Sequence, residues 1–136
     1  MQEKHTILFL CAAGGAKSVI AAAYFNRLAE ERALPYGAVA AAAEEPYDAV
    51  PGPVADFLQG DGFDVRGFKP RRVEDGDVRN AARVVSIDCN LDAVELTGTA
   101  VERWDDVPKV SEDLDGSAAA IRRHVEALAE ELRGRR

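Results

Sequence analysis

The chain has 136 residues, 47% of them hydrophobic and 30% charged, with 17 Lys and Arg against 24 Asp and Glu for a net charge of -7. That length suits one domain, residues 1–136, able to bury about two-thirds of its unfolded surface. The acidic balance excludes the basic face of a duplex nucleic-acid binder, and no apolar run approaches the ~18–20 residues of a membrane span, so neither nucleic acid nor membrane is an expected partner.

The start, MQEKHTILFL, sets Glu3 beside Lys4 and passes directly into a strand pattern, which is not the layout of an export signal. With two cysteines and no such signal, the expected compartment is the cytoplasm, where thiols stay reduced. His5 to Leu10 is a nearly continuous apolar run, the mark of a parallel strand covered on both faces. After the turn CAAGGAKS, a helix is expected from a Ser18 cap to about Ala33, stopped by Leu34-Pro35. Tyr36 to Ala43 reads as a second strand and Glu44 to Pro51 as a loop punctuated by prolines.

Val54 to Leu58 predicts a short helix ended by Gly60 or Gly62, and Phe63 to Val65 an edge segment. Arg66 to Val73 (RGFKPRRV) is a basic loop, and Asp75 to Arg79 opens another helix. Arg83 to Ile87 is a buried strand ending at Asp88, followed by a loop or short helix with Leu91, Val94 and Leu96. Thr99 to Trp104 alternates as a fourth strand, and Asp105 to Asp115 is an acidic loop. In the last helix, Gly116 to Arg133, the residues Ala118, Ile121, Val125, Leu128 and Leu132 form an apolar stripe. Strands alternating with helices predict an α/β three-layer sandwich around a four-stranded parallel sheet, with its site at the carboxyl ends of the strands.

The richest chemistry lies where the first strand turns into the first helix. Amides in such a turn point into one small concavity, and the helix start adds partial positive charge, so a tetrahedral anion fits there. Cys11 stands at the foot of this hollow, and Lys17-Ser18 closes it. Cys11, Lys17 and Ser18 are therefore the candidate catalytic residues. The loop Ala12, Ala13, Gly14, Gly15 and Ala16, together with Lys17 and Ser18, is the candidate oxyanion cradle. The blander readings are a small buried cysteine, a solvated lysine and a plain helix cap.

The segment CAAGGAKS resembles the C-x5-R-S loop of the low-molecular-weight protein tyrosine phosphatases and of the arsenate reductases that share their fold. The resemblance runs over nearly the whole chain: GFKPRR is similar to the family's basic Gly-His-Arg-Pro-type stretch, RVVSIDCNL to its third strand and following loop, and WDDVP to the region before its Asp-Pro general acid. It implies attack by Cys11 on a phosphate monoester of the phosphotyrosine type, a thiophosphoryl intermediate, and hydrolysis by water. It implies phosphate or a similar oxyanion as ligand, a phosphoprotein as the macromolecular partner, and thioredoxin or another thiol donor only if the activity is arsenate reduction.

Two departures bear on this chemistry. Lys17 replaces the family's arginine, trading a planar fork for a flexible point charge, and Gly14 replaces its loop asparagine. At the position of the general acid, the best match, Val107-Pro108-Lys109-Val110, carries lysine. Asp105, Asp106 or Glu112 are the candidates to replace it. A catalytically impaired oxyanion- or phosphoprotein-binding relative is thus an alternative to the enzyme. Cys89 reads as a core or loop cysteine, with a resolving thiol of the arsenate-reductase kind as the alternative. Arg66, Lys69, Arg71 and Arg72 read as a solvated face or as a rim that attracts anions. GGAKS followed by VVSID superficially resembles a nucleotide-binding P-loop, but the required glycines fall on Cys11 and Ala16. No His/Cys/Asp cluster has metal-ligand spacing, so no metal is expected.

Overall fold

Successive side chains of the first strand point to opposite sides, and here both sides are dry. Ile7, Leu8, Phe9 and Leu10 are all fully buried, which requires cover on both faces of the sheet. The computed structural model describes residues 5–96 and 98–134; the reading of residues 1–4 as no export signal lies outside them. The elements in order are β1 (His5–Cys11), α1 (Lys17–Glu31), β2 (Tyr36–Ala42), α2 (Gly52–Gly60), α3 (Asp75–Asn80), β3 (Ala81–Ile87), β4 (Val101–Trp104) and α4 (Leu114–Arg133). The strands form one four-stranded sheet in the order β2-β1-β3-β4, every pair parallel. This is the expected sandwich.

Ile7 and Phe9 face the layer built by α1, α2 and α4, meeting Phe25, Val54, Leu58, Ile121 and Trp104. Leu8 and Leu10 face the other layer, with Val78 of α3 and the loop residues Leu91, Val94 and Leu96. The predicted stripe of α4 is buried at all its positions. The helix starts earlier than the stripe suggests, because Asp113 caps it by accepting the Gly116 N–H at 2.9 Å.

Two expectations are corrected. Ser18 is not the cap of α1: the N-cap position is Ala16, with no side-chain cap bond, and the Ser18 hydroxyl is turned into the interior. Phe63 to Val65 forms no edge strand. Phe63 instead packs edge-on against Tyr24, and the Asp64 carboxylate is taken by Arg66. One edge of the sheet is β2, and α1 guards it: Asn26 accepts the Ala38 N–H at 2.7 Å and donates to the Ala38 carbonyl at 3.2 Å. A side-chain amide thereby occupies backbone groups that another strand could use.

No described helix is long and apolar enough to cross a membrane. The register sets Cys11 beside Ala42, and the ends of β1 and β3 also lie side by side. The chain leaves β1 towards β2 on one side and later returns to β3 on the other, so the order switches at β1, where ligands of open α/β sheets bind. Asn26→Ala should cost about 1 kcal/mol, read as a lower urea midpoint at unchanged slope.

Candidate oxyanion site

The turn after β1 is laced to the loop after β2 through its carbonyls. Those of Cys11, Ala12 and Ala13 accept the amides of Ala43, Glu44 and Tyr47 at 2.9, 2.9 and 3.1 Å. Because each peptide is planar, this turns the amides of Ala12, Ala13 and Gly14 away from that loop. Among the described residues, no backbone amide from Ala12 to Lys17 donates to another protein group. The cradle is therefore a set of uncommitted donors next to the start of a 15-residue helix. Gly14 makes the bend at a φ of 65°, and a Cβ there would lie 2.6 Å from the Ala42 nitrogen. Only glycine fits.

Cys11 lies at the carboxyl end of β1 and on the wall of a cavity of about 540 Å³. Ser18 supplies two contacts to its sulfur: the backbone N–H donates at 3.4 Å and the hydroxyl lies 3.1 Å away. Both groups are buried, so the hydroxyl and the thiol satisfy one another where water is excluded. Ala12, Ala13, Ala16 and Lys17 line the same cavity. Gly14 and Gly15 shape the turn from behind, Gly15 lying under the Tyr47 ring, where a Cβ would come within 2.9 Å of it. The other walls are mostly apolar, from Tyr47, Pro51, Pro53, Val54, Val110 and Leu114.

Lys17 points into the cavity wall and pairs with Asp88, Nζ to Oδ2 3.3 Å, its own side chain only 13% exposed. The sequence reading did not weigh Asp88 as a site residue. It follows β3 in a left-handed conformation, φ 48°, and lines the cavity with its side chain 43% exposed. A non-glycine residue at positive φ is a signal of local constraint, and Asp is among the few that tolerate it.

Asp105 and Asp106 are engaged by neighbouring side chains. Neither lines the cavity. Asp105 pairs with Arg103 at 3.3 Å, and Asp106 meets His124 of α4 at 2.7 Å. The His124 hydrogen bond holds the Asp106 carboxyl below the usual carboxylate range, which leaves it no proton to give near neutrality. His124 is itself stacked on Trp104, 4.7 Å between centroids, and Ser117 donates to the Pro108 carbonyl. This loop is thus anchored to α4 through Asp106 and Pro108, and its Lys109, Val110 and Ser111 form the cavity rim instead.

Cys89 packs with Leu8 and Leu10, on the face of the sheet opposite Ile7 and Phe9. Cys11 shares the parity of Ile7 and Phe9 along β1 and points to their side. Cys89 lies against Ser86 Oγ (3.5 Å) and the Leu10 carbonyl (3.8 Å), and burial pushes its thiol up. Of the basic loop, Arg66, Arg71 and Arg72 are engaged by Asp64, Asp77 and Glu45, which favours the solvated face over a rim. Among the described residues, no group of three His, Cys, Asp or Glu side chains could hold a metal ion. Gly14→Ala should cost about 2 kcal/mol or more, from the left-handed strain of a side chain and the clash behind it; thermal unfolding with and without phosphate reads both the stability and the cradle.

No protein-family profile matches the chain, and no curated protein matches it. Solved structures do. The thioredoxin-dependent arsenate reductase of Corynebacterium glutamicum superposes with a TM-score of 0.80 at 17% identity over 98% of this chain, which spans 64% of that enzyme's length. An arsenate reductase in a phosphate-binding state gives 0.75 at 17% identity, covering 94% of this chain and 98% of that one. The low-molecular-weight protein tyrosine phosphatase of T. tengcongensis gives 0.73 at 15% identity, covering 94% and 99%. The chain therefore has the fold shared by low-molecular-weight protein tyrosine phosphatases and thioredoxin-dependent arsenate reductases, the one its Cys11–Ser18 loop resembles.

Proposed function

We propose that this protein is a cysteine-dependent phosphatase acting on aryl phosphate monoesters of the phosphotyrosine type, a phosphorylated protein or peptide among them. We further propose that it works in the reducing cytoplasm, where a free catalytic thiol persists. The observation that carries the reading is the Cys11 sulfur held by both Ser18 groups, beside a run of uncommitted amides on the wall of an open cavity. The apolar walls suit an aromatic ring, and the amides from Ala12 to Lys17 suit the phosphoryl oxygens. The solved structure of a relative in a phosphate-binding state supports the choice of anion.

In this reading Cys11 Sγ, as thiolate, attacks phosphorus. The sulfur–phosphorus bond forms as the bond from phosphorus to the aryl oxygen breaks, and the phenolate leaves. The loop amides and Lys17 carry the charge that gathers on the equatorial oxygens. Water then attacks the thiophosphoryl group, giving inorganic phosphate and returning the thiolate, with the Ser18 contacts in place to receive it. The leaving oxygen has no carboxylic acid at the Asp105 or Asp106 positions to protonate it. General acid help typically contributes ~10²–10⁴-fold, so the rate should depend steeply on how well the phenolate leaves by itself.

The arsenate-reductase reading has less support. An internal relay needs an accessible, reactive second thiol, and Cys89 is buried in an apolar cluster that pushes its thiol up. Arsenate reduction by this chain would therefore require a thiol from thioredoxin or a small molecule at every turn.

Turnover of p-nitrophenyl phosphate should vanish in Cys11→Ser and fall less than twofold in Asp105→Asn. The same assay on phenyl phosphate should run at least about a hundredfold slower, the cost of an unprotonated leaving group. No turnover on either ester, with phosphate still shielding Cys11 from alkylation, would replace the enzyme by a binding module. Lys17→Arg should raise kcat/KM on p-nitrophenyl phosphate by about tenfold or more, because a fork holds two equatorial oxygens where an ammonium holds one direction at a time.

A further inference from the structure

Lys17 and Asp88 both line the cavity of Cys11, and they face each other across 3.3 Å. A cation intended for an oxyanion is thus already shared with a carboxylate. An arginine has five donors and can serve two anions through different edges of its fork, but a lysine is one compact charge. An oxyanion that reaches Lys17 is therefore brought close to Asp88, and two negative groups compete for one ammonium. Like charges a few ångströms apart do not both stay ionised without penalty, which solvent reduces here because the Asp88 side chain is 43% exposed.

We infer that Asp88 makes this site select oxyanions that carry or accept a proton, so that the ligand is bound as a hydrogen-bonded pair with one proton shared between its oxygen and the Asp88 carboxylate. The inference rests on the oxyanion site proposed above and names its ligand class: protonatable oxyanions such as phosphate and arsenate monoesters or monoanions, in preference to obligate dianions such as sulfate. No covalent step is involved. The proton arrives with the monoanion or is taken from solvent with the dianion, and it leaves with the ligand.

Several features of the site bear on this. Asp88 is the carboxylate that lines the cavity, since Asp105 and Asp106 are directed elsewhere. Its side chain is 43% exposed, so solvent relieves part of the repulsion and the selectivity rests on the shared contact with Lys17. The other titratable or charged groups facing the cavity are Cys11 from β1, Tyr47 from the loop after β2 and Lys109 from the loop after β4. Glu44 acts on the neighbouring Cys89. Lys109 is exposed at the mouth, where solvent screening makes it a weak counterweight.

The test is ligand protection of Cys11 against iodoacetamide, titrated with phosphate and with sulfate at about pH 5.5 and about pH 8, on either side of the second phosphate ionisation near pH ~6–7. Asp88→Asn is the partner variant; asparagine also tolerates the left-handed backbone, and a thermal melt within a few degrees of the parent verifies the fold. In the parent, phosphate should protect at least tenfold better at the lower pH, while sulfate should protect poorly at both. In Asp88→Asn, sulfate should gain at least tenfold and the pH dependence of phosphate should shrink towards none. If sulfate affinity is unchanged or falls in Asp88→Asn while phosphate still protects the parent, Asp88 merely positions Lys17 and the inference is overturned. If neither anion protects Cys11 in either protein at either pH, the oxyanion site itself is wrong.

Discussion

The whole site depends on one join: the turn after β1 gives its carbonyls to the loop after β2. Three backbone bonds from Ala43, Glu44 and Tyr47 take up the oxygens of Cys11, Ala12 and Ala13. A peptide cannot present its carbonyl and its amide to the same side, so fixing the oxygens also fixes where the donors go. The cradle is therefore made by the packing of two loops, with the apolar sheet beneath them as a rigid floor. Gly14 is the residue that lets these loops come together, since its φ of 65° and its 2.6 Å approach to Ala42 both forbid a side chain. A shift in the 43–47 loop would reorient the amides even if Cys11 and Ser18 stayed in place.

Electrostatics at this site work against the protein as a whole. The chain carries a net charge of -7, which does nothing to draw a phosphorylated ligand from a distance. Attraction must then be short-ranged, supplied by amides, the helix start and two lysines. One of these is tied to Asp88 and the other stands at the rim. The outlying basic loop contributes little, because its arginines are neutralised by neighbouring carboxylates. An oxyanion in this hollow would accordingly be held by fit more than by field.

Most of the architecture was legible in the residues. The unbroken apolar run of β1, the spaced stripe of α4 and the RVVSI strand each reflect burial that leaves a periodic trace. Phe63 to Val65 misled because an alternating triplet looks the same whether it pairs in a sheet or lays its apolar members onto a helix. Within the site, C-x5-K-S announced Cys11 and the cradle. It did not announce Ser18's orientation, since a hydroxyl one residue inside a helix can serve the backbone or a neighbour in space. Asp88 was hidden for another reason: its pairing with Lys17 and its place on the cavity wall join residues 71 positions apart. Asp105 and Asp106 were judged by nearness in sequence to a familiar motif, whereas Arg103 and His124 hold them elsewhere.

The period-two alternation of a strand also bears on what chemistry the fold can host. Cys11 points to the side of Phe9, and Cys89 packs with Leu8 and Leu10 on the other side. Cys89 nonetheless lies near the base of Cys11: its sulfur is 3.8 Å from the Leu10 carbonyl, in the peptide that leads into Cys11, and it feels the charge of Cys11. A relay between two thiols needs them within disulfide reach, Cβ atoms about 4 Å apart, and Cys89 would have to give up contacts in its apolar cluster to take part. Burial also keeps its thiol protonated, the less nucleophilic form. Burial of Cys89 thus weighs against its serving as a ready second thiol, independently of the loop motif.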